Sequence, residues 1–504
     1  MRRILFLINT LLATCALLAA APATAGPGDL DATFGAAGLG MVMTALGPGQ
    51  DHGQAIAMQP DGKIVVAGYC HNGSNWNFCL ARYQANGLLD GGFGSGGTGT
   101  VISPIGSADS QGYAIALQPD GKIIVTGFCG SLTQNDFCLA RYQANGSLDP
   151  SFGSNGTVTT AFPAPSDDRG KTIALQPDGK IVVAGYCHNG SSSNFCLARY
   201  QANGSLDGGF GSGGTVITSI SSGGDDARAI ALQPDGKIVI AGACYGGGTN
   251  WDFCLARYQA SGTLDTSFKL TGTVISPIGS SWEYANAIAL QPDGKIVVAG
   301  FCRGASNDDF CFARYHVNGT IDTTFGMGGT VISPIGSGID QAYALALQPD
   351  GKIVAAGYCM NGSGADFCLA RYHSNGTLDT TFGLNGNGKV TTPIGSASDQ
   401  AFAIALQPDG KIVAAGRCHN GSDWDFCLAR YEGGPFDYQN CKLDIDGDGA
   451  VLATTDMLIG TRVALGMTGP AVIRGVGFAS HATRKTWPAI RNYLVSQCGM
   501  TLAP

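Results

Sequence analysis

The chain has 504 residues, roughly three ordinary domains, yet only 13% of its side chains are charged and 77 are glycine. That balance suits short strands and tight turns rather than helices, and a repeat architecture can fill such a length as one unit. Net charge is −8 with no basic run, which excludes a sequence-independent grip on nucleic acid or anionic lipid.

The first element is a signal peptide over residues 1–25. Arg2 and Arg3 precede an apolar run from Ile4 to Leu18, and Ala23-Thr24-Ala25 offers a small-residue cleavage site. Its flanks are those of a leader, and no later stretch is long enough to span a bilayer. Cys15 lies inside the run, where Thr14 is a poor neighbour for lipid attachment. Cleavage makes the mature chain more acidic by the two charges of the arginines.

A repeat follows. Gln-Pro-Asp-Gly-Lys begins at Gln59, Gln118, Gln176, Gln233, Gln291, Gln348 and Gln407, a period of 57 to 59 residues. In the fourth copy the runs are Gly-Thr-Val-Ile-Thr, Ala-Ile-Ala-Leu, Lys-Ile-Val-Ile-Ala-Gly and Phe-Cys-Leu-Ala-Arg-Tyr. Each is short, rich in β-branched or aromatic residues and bounded by turn chemistry. Pro-Asp-Gly is a tight turn, and Asn-Gly, as at Asn145-Gly146, punctuates the end of the Arg-Tyr strand. Four strands joined by short connections form an antiparallel meander, and a meander repeated radially is a propeller blade. The sequence therefore predicts an all-β, seven-bladed propeller of four-stranded antiparallel blades over residues 26–433. A Leu-Asp-x-x-Phe-Gly string starts at Leu30, whereas the last copy stops at Tyr431 without one. The N-terminal strand near Met41–Thr44 is thus expected to complete the last blade. Leu-Asp-x-x-Phe-Gly, Gln-Pro-Asp-Gly-Lys-Ile-Val-Val-Ala-Gly and Phe-x-Leu-Ala-Arg-Tyr, recurring in order, resemble the delta-60 repeat β-propeller family of secreted bacterial proteins, over roughly residues 28–431. The resemblance implies a fold and a compartment but no settled activity.

Fourteen cysteines form seven pairs across a hairpin: Cys70/Cys79, Cys129/Cys138, Cys187/Cys196, Cys244/Cys254, Cys302/Cys311, Cys359/Cys368 and Cys418/Cys427. Facing positions of antiparallel strands lie within reach of a disulfide, so each pair is expected to staple its blade. Metal binding is the rival, disfavoured by the leader and by a spacing of nine or ten, unlike the short spacing of zinc sites.

With Ala-Ile-Ala-Leu innermost, the cysteine hairpins and the connections entering the inner strands share one face. That face carries Trp76, Trp251 and Trp424 in hairpin loops and Trp282 in an inner connection. Exposed, they would stack on sugar rings or touch a protein; the plainer role is covering their own hairpins. An acid precedes each inner strand, namely Asp51, Asp109, Asp168, Asp225, Glu283, Asp340 and Asp399, and each blade has an arginine: Arg82, Arg141, Arg199, Arg257, Arg314, Arg371 and Arg430. A ring of acids around the channel mouth would hold a cation, but acids and arginines present in every repeat are expected to pair within blades or cap turns. His71, His188 and His419 follow a cysteine, where other blades carry Gly130, Tyr245, Arg303 and Met360, a tolerant loop position. Gly170-Lys171-Thr172 imitates the end of a phosphate loop but lacks the earlier glycine, and no Gly-x-Ser-x-Gly elbow occurs. The Asn-Gly-Ser/Thr strings match glycosylation acceptors, but turn chemistry accounts for them.

After Gly434-Pro435 the repeat ends and residues 434–504 read as a small α-helical calcium-loop module. Asp444, Asp446 and Asp448 alternate, Gly449 permits a sharp turn, Ala450 offers a backbone carbonyl and Asp456 closes the loop. This resembles a dockerin-type calcium repeat with two departures: Asp456 falls one place late, leaving Thr455 in its position, and Leu452 replaces a polar ninth residue. Trp487, Ile490 and Leu494 fit an apolar helical face, and Cys441 and Cys498 flank the module as an eighth pair. No second calcium loop follows. Calcium is therefore the one cofactor expected. The whole reads as a secreted, monomeric extracellular protein that presents a loop face to a glycan or protein partner. The alternative is a secreted enzyme acting on polysaccharide at the propeller channel.

Overall fold

The computed structural model describes residues 25–131, 134–163, 167–246, 250–304, 306–362, 364–384, 386–434, 486 and 489–490. Residues 1–24 of the expected leader, the expected calcium loop from Asp444 to Asp456, and Cys441 and Cys498 lie outside the described residues. So do Trp487 and Leu494 of the expected helix; Ile490 alone of that face is described.

Seven four-stranded antiparallel sheets follow one another around a ring. In blade 1 the strands are Asp51–Met58, Ile64–His71, Trp76–Tyr83 and Thr100–Ser103, running from the axis outward. Blade 7 consists of Asp399–Leu406, Ile412–His419 and Trp424–Tyr431, with Met41–Thr44 as its fourth strand. Met41 faces Ala429 and Thr44 faces Phe426, and Leu30 bridges to Tyr431. The two ends of the ring are thereby sewn together, as the displaced Leu-Asp-x-x-Phe-Gly string requires.

One blade is a single sheet and cannot bury its own faces, so the core lies at the seven blade junctions. Between blades 1 and 2, for example, Val65, Phe78, Leu80 and Phe93 pack on Ile123, Val125, Ala140 and Tyr142. The junction of blades 7 and 1 uses Phe34 from the N-terminal string with Val413, Phe426, Ile64 and Tyr83. Four tyrosine hydroxyls tie neighbours further, as where Tyr83 donates to Thr44 across the closing junction (3.0 Å) and Tyr200 to Thr160 (2.9 Å).

All seven hairpin pairs are joined as disulfides: Cys70–Cys79, Cys129–Cys138, Cys187–Cys196, Cys244–Cys254, Cys302–Cys311, Cys359–Cys368 and Cys418–Cys427. The expectation that the two cysteines of a pair face each other is corrected. In blade 1 Cys70 sits opposite Asn77, and Cys79 opposite Gly68. The same offset recurs in every blade. Cys129, Cys187 and Cys244 stand opposite Asp136, Asn194 and Asp252, while Cys138, Cys196 and Cys254 stand opposite Gly127, Gly185 and Gly242. Cys302, Cys359 and Cys418 oppose Asp309, Asp366 and Asp425, while Cys311, Cys368 and Cys427 oppose Gly300, Gly357 and Gly416. Strand twist shortens one diagonal of the ribbon, and the bonded Cα atoms are 5.5 to 5.8 Å apart.

Gly68 has a second use. Each inner strand carries a β-bulge, in blade 1 between Gly53 and Ala55. A Cβ on Gly68 would collide with the His52 carbonyl oxygen beside that bulge, and the same holds at Gly127, Gly185, Gly242, Gly300, Gly357 and Gly416. The glycine ending each Ile-Val-Val-Ala-Gly run is therefore the condition for the bulge. A bulge inserts one unpaired residue and re-aims its side chain. Here that residue is Gln54, Tyr113, Lys171, Arg228, Asn286, Tyr343 or Phe402 in turn.

Candidate functional site at the channel mouth

The acids expected to ring the mouth are buried turn caps. Asp51 is fully buried and accepts the amides of Leu46 (2.6 Å) and Gly47 (3.2 Å). Asp225, Asp340 and Asp399 accept Ile220, Ile335 and Ile394 at 2.6 to 2.7 Å, Glu283 accepts Ile278 at 2.9 Å and Asp168 accepts Phe162 at 3.1 Å. In blade 2 the position belongs to Ser110, not Asp109. Asp109 lies one residue earlier and accepts the Trp76 amide of blade 1 at 2.9 Å. Burial outweighs the amides and pushes Asp51 up to about 6 and Glu283 to about 7.

The repeated arginines pair with a different set of acids, on the opposite face. Arg82 donates through Nε to Asp90 of Leu-Asp-x-x-Phe-Gly (2.7 Å), lies 4.6 Å from the Phe93 ring centre, and reaches the Ala144 carbonyl of the next blade. Every blade repeats this clasp. In blade 7 Arg430 meets Asp31 (2.6 Å) and Phe34 from the N-terminal string and the Ala85 carbonyl of blade 1. For Asp149, burial pushes the carboxyl up, but Ser151 and Arg141 overcome it and hold it at about 2.

What converges at the mouth is what differs between blades. The bulge residues of adjacent blades touch. Lys171 places its ammonium 3.7 Å from the centre of the Tyr113 ring, Arg228 donates to Asn286 (2.9 Å), and Tyr343 meets Phe402 edge-on at 5.0 Å. Around them stand the residue two places before each bulge residue and its partner on the second strand. His52 stacks on Tyr69 at 4.7 Å, and Arg417 donates to His52 Nδ1 (2.6 Å) and to Gln400. Arg169 pairs with Asp167 (2.9 Å) over the Phe128 ring, and Arg228 pairs with Asp226 (2.8 Å) over Tyr284. Asn286 donates in turn to the Ala342 carbonyl of blade 6 (2.8 Å), and Arg417 lies 5.5 Å from the Phe402 ring centre, so contacts run on from blade 4 to blade 7. Burial, reinforced by Arg417, pushes His52 down to about 3, keeping it neutral and able to accept that bond. Burial likewise lowers Lys171 to about 8, against the pull of Asp226.

Three tryptophans join this cluster, though none is fully exposed. Trp76 and Trp424 approach His52 from blades 1 and 7 at 5.4 and 6.4 Å, Trp424 lies 4.4 Å beneath Arg417, and Trp251 stacks on Tyr284 at 5.6 Å. Trp282 stands apart, 57% exposed. His71 and His419 accept the amides of Gly73 and Gly421, which fits a loop role. Sequence reasoning passed over Arg228, Arg417, Tyr113 and Tyr343, and weighed Lys171 only as part of a phosphate-loop imitation. The signal was available: directly before the nearly constant Ala-Ile-Ala-Leu, one position reads Gln, Tyr, Lys, Arg, Asn, Tyr and Phe through the seven copies. Among the described residues no three histidines, cysteines or acids gather as a metal site, and no helix is long and apolar enough to cross a membrane.

Fold and mouth together define a disulfide-stapled, seven-bladed β-propeller with an aromatic and cationic channel entrance. The seven repeats match the family described as "Domain of unknown function (DUF5122) beta-propeller" over residues 59–93, 118–152, 176–210, 233–268, 291–325, 348–382 and 407–433, which supports a propeller of that kind. No curated protein sequence matches the chain. Solved structures similar to it include a catalytically inactive virginiamycin B lyase from Staphylococcus aureus with quinupristin, at 14% identity, TM-score 0.45, and covering 77% of this chain and 98% of that one. A PL25 ulvan lyase bound to -[GlcA(1-4)Rha3S]- matches at 13% identity, TM-score 0.46, covering 78% and 96%. Sqt1 from Chaetomium thermophilum matches at 13% identity, TM-score 0.41, covering 78% and 91%.

Proposed function

We propose that the protein is a secreted extracellular binding protein whose channel mouth, with the surrounding cysteine hairpins, receives a glycan. One observation carries this reading. Positions that hold blades together are nearly constant through seven copies, while those that vary gather at one mouth and are dominated by aromatic rings and cations. Rings that are half buried and beside hydrogen-bonding groups are the surface on which sugars stack. Seven disulfides and a leader suit an oxidising compartment. The test is a glycan panel probed with the mature full chain and with Tyr343→Ala and Trp76→Ala variants. Retention of a sugar that both variants lose supports the reading; no retention above background, or equal retention by the variants, refutes it. Release of shortened products from the same panel would instead favour a polysaccharide-cleaving enzyme at this mouth.

Calcium binding by Asp444, Asp446, Asp448, the Ala450 carbonyl and Asp456 is a second, independent proposal, supported by the alternating carboxylates alone. Calorimetric titration with calcium should give heat with the wild type and none with Asp446→Ala; equal heats would sink it.

A further inference from the structure

Four cations line the mouth, and two of them lack a counter-ion. Arg169 and Arg228 each hold a carboxylate, Asp167 and Asp226. Arg417 spends its donors on the neutral groups Gln400 and His52, and has no acid within ion-pair distance among the described residues. Lys171 has neither hydrogen bond nor ion pair to any described residue, only the faces of Tyr113 and Tyr186 at 3.7 and 5.9 Å. Of the other carboxylates on this face, Asp308 accepts Gln341 and lies 3.7 Å from Arg303, and Asp51, Asp225, Glu283, Asp340 and Asp399 cap their own turns; none is within ion-pair distance of Lys171 or Arg417. An ammonium has three donors and a guanidinium five, and withdrawing them from water without an acceptor is costly. In a chain of net charge −8, a mouth with surplus positive charge is not background, and it draws in and holds ligands of opposite sign.

We infer that the channel mouth takes an anionic saccharide, whose acid groups meet Lys171 of blade 3 and Arg417 of blade 7 while its rings lie on the tyrosine faces between them. Tyr69 of blade 1 fits this arrangement, since it stacks on His52, which Arg417 contacts, and meets Tyr113, which Lys171 covers, at 6.1 Å. The inference rests on the glycan-binding reading and names the class of sugar.

The experiment is calorimetric titration of the full mature chain with trigalacturonate, a heparin-derived sulfated tetrasaccharide and neutral maltotriose. At least one charged probe should bind, weakening as salt rises, while maltotriose does not. Lys171→Gln and Arg417→Gln should each lower that affinity about 10–100-fold, the range for losing a charge-assisted hydrogen bond, with Lys180→Ala on the opposite face unchanged. The carboxylated and sulfated arms show which acid group is preferred. Charged probes bound equally by wild type and both variants, or maltotriose bound as well as they are, would overturn the inference while leaving glycan binding intact. No binding by any probe would remove both. If either glutamine variant fails to reach the wild-type melting temperature, Lys171→Arg and Arg417→Lys replace them. These retain the charge and should retain salt-dependent binding; its loss to below detection in both would overturn the assignment.

Discussion

Replacing Arg199 by alanine tests whether the buried clasp, rather than apolar packing alone, locks neighbouring blades. Arg199 and Asp207 are 9% and 11% exposed and 2.8 Å apart; the guanidinium lies 4.4 Å from the Phe210 ring and caps the Ala260 carbonyl of the next blade. Truncation leaves Asp207 with the Gly209 amide (3.3 Å) as its remaining partner and strips the carbonyl. Breaking one side of a buried pair costs about 3–5 kcal/mol. Unfolding entropy of about 2.1 cal/mol/K per residue, over a ring of about 400 residues, comes to roughly 0.8–0.9 kcal/mol/K. The melting temperature should therefore fall by about 3–6 °C, read by calorimetry with the disulfides intact. The double variant Arg199→Ala/Asp207→Ala should fall by less than the sum of the two single changes, because no charge is left stranded. A drop under about 1 °C for Arg199→Ala, or strict additivity, would refute the reasoning.

The bulge gives a second test: Gly185→Ala drives a Cβ into the Arg169 carbonyl and should cost about 1–3 kcal/mol or more, seen as a lower melting temperature, whereas wild-type stability would show the bulge does not need glycine. Glu283 gives a pH test. Its folded pKa of about 7 exceeds the ~4.3 of an unfolded chain, so its contribution is full below about pH 4 and is lost as pH rises through 7. The wild type should thus lose more melting temperature between pH 4.5 and 7.5 than Glu283→Gln, and superimposable profiles would exclude it. Without reduction, mass spectrometry should recover each cysteine pair linked within its own blade, and removing Cys187–Cys196 should cost up to about 2–3 kcal/mol; free thiols would contradict the staples.

Much of the architecture was legible because a propeller repeat writes itself locally. Pro-Asp-Gly and Asn-Gly set the turns, β-branched runs set the strands, and the stray string at Leu30 disclosed how the ring closes. Less was legible at the site. Arg82 and Asp51 both belong to positions repeated around the ring, yet Arg82 takes Asp90, because the strand carries its guanidinium to the face opposite Asp51. Asp109 fits the acid pattern along the chain, but the register puts Ser110 in its place. The fourteen hairpin cysteines were paired correctly and their register was not: Cys138 and Cys427, like the other second members, lie across from a glycine rather than from their bonded partners. Strand twist, which no residue pattern reports, decides which diagonal is short.

By itself, then, the sequence determined the number of sheets, their order and the covalent staples, all of which depend on neighbours a few residues apart or on simple repetition. Only the tertiary structure decided that Tyr113, Lys171, Arg228, Tyr343 and Arg417 share one entrance. These residues lie on different blades of the ring, and ring closure together with a glycine-permitted bulge in each inner strand brings them to one place. Single letters that look like tolerated variation along the chain become, around an axis, a surface with charge and shape.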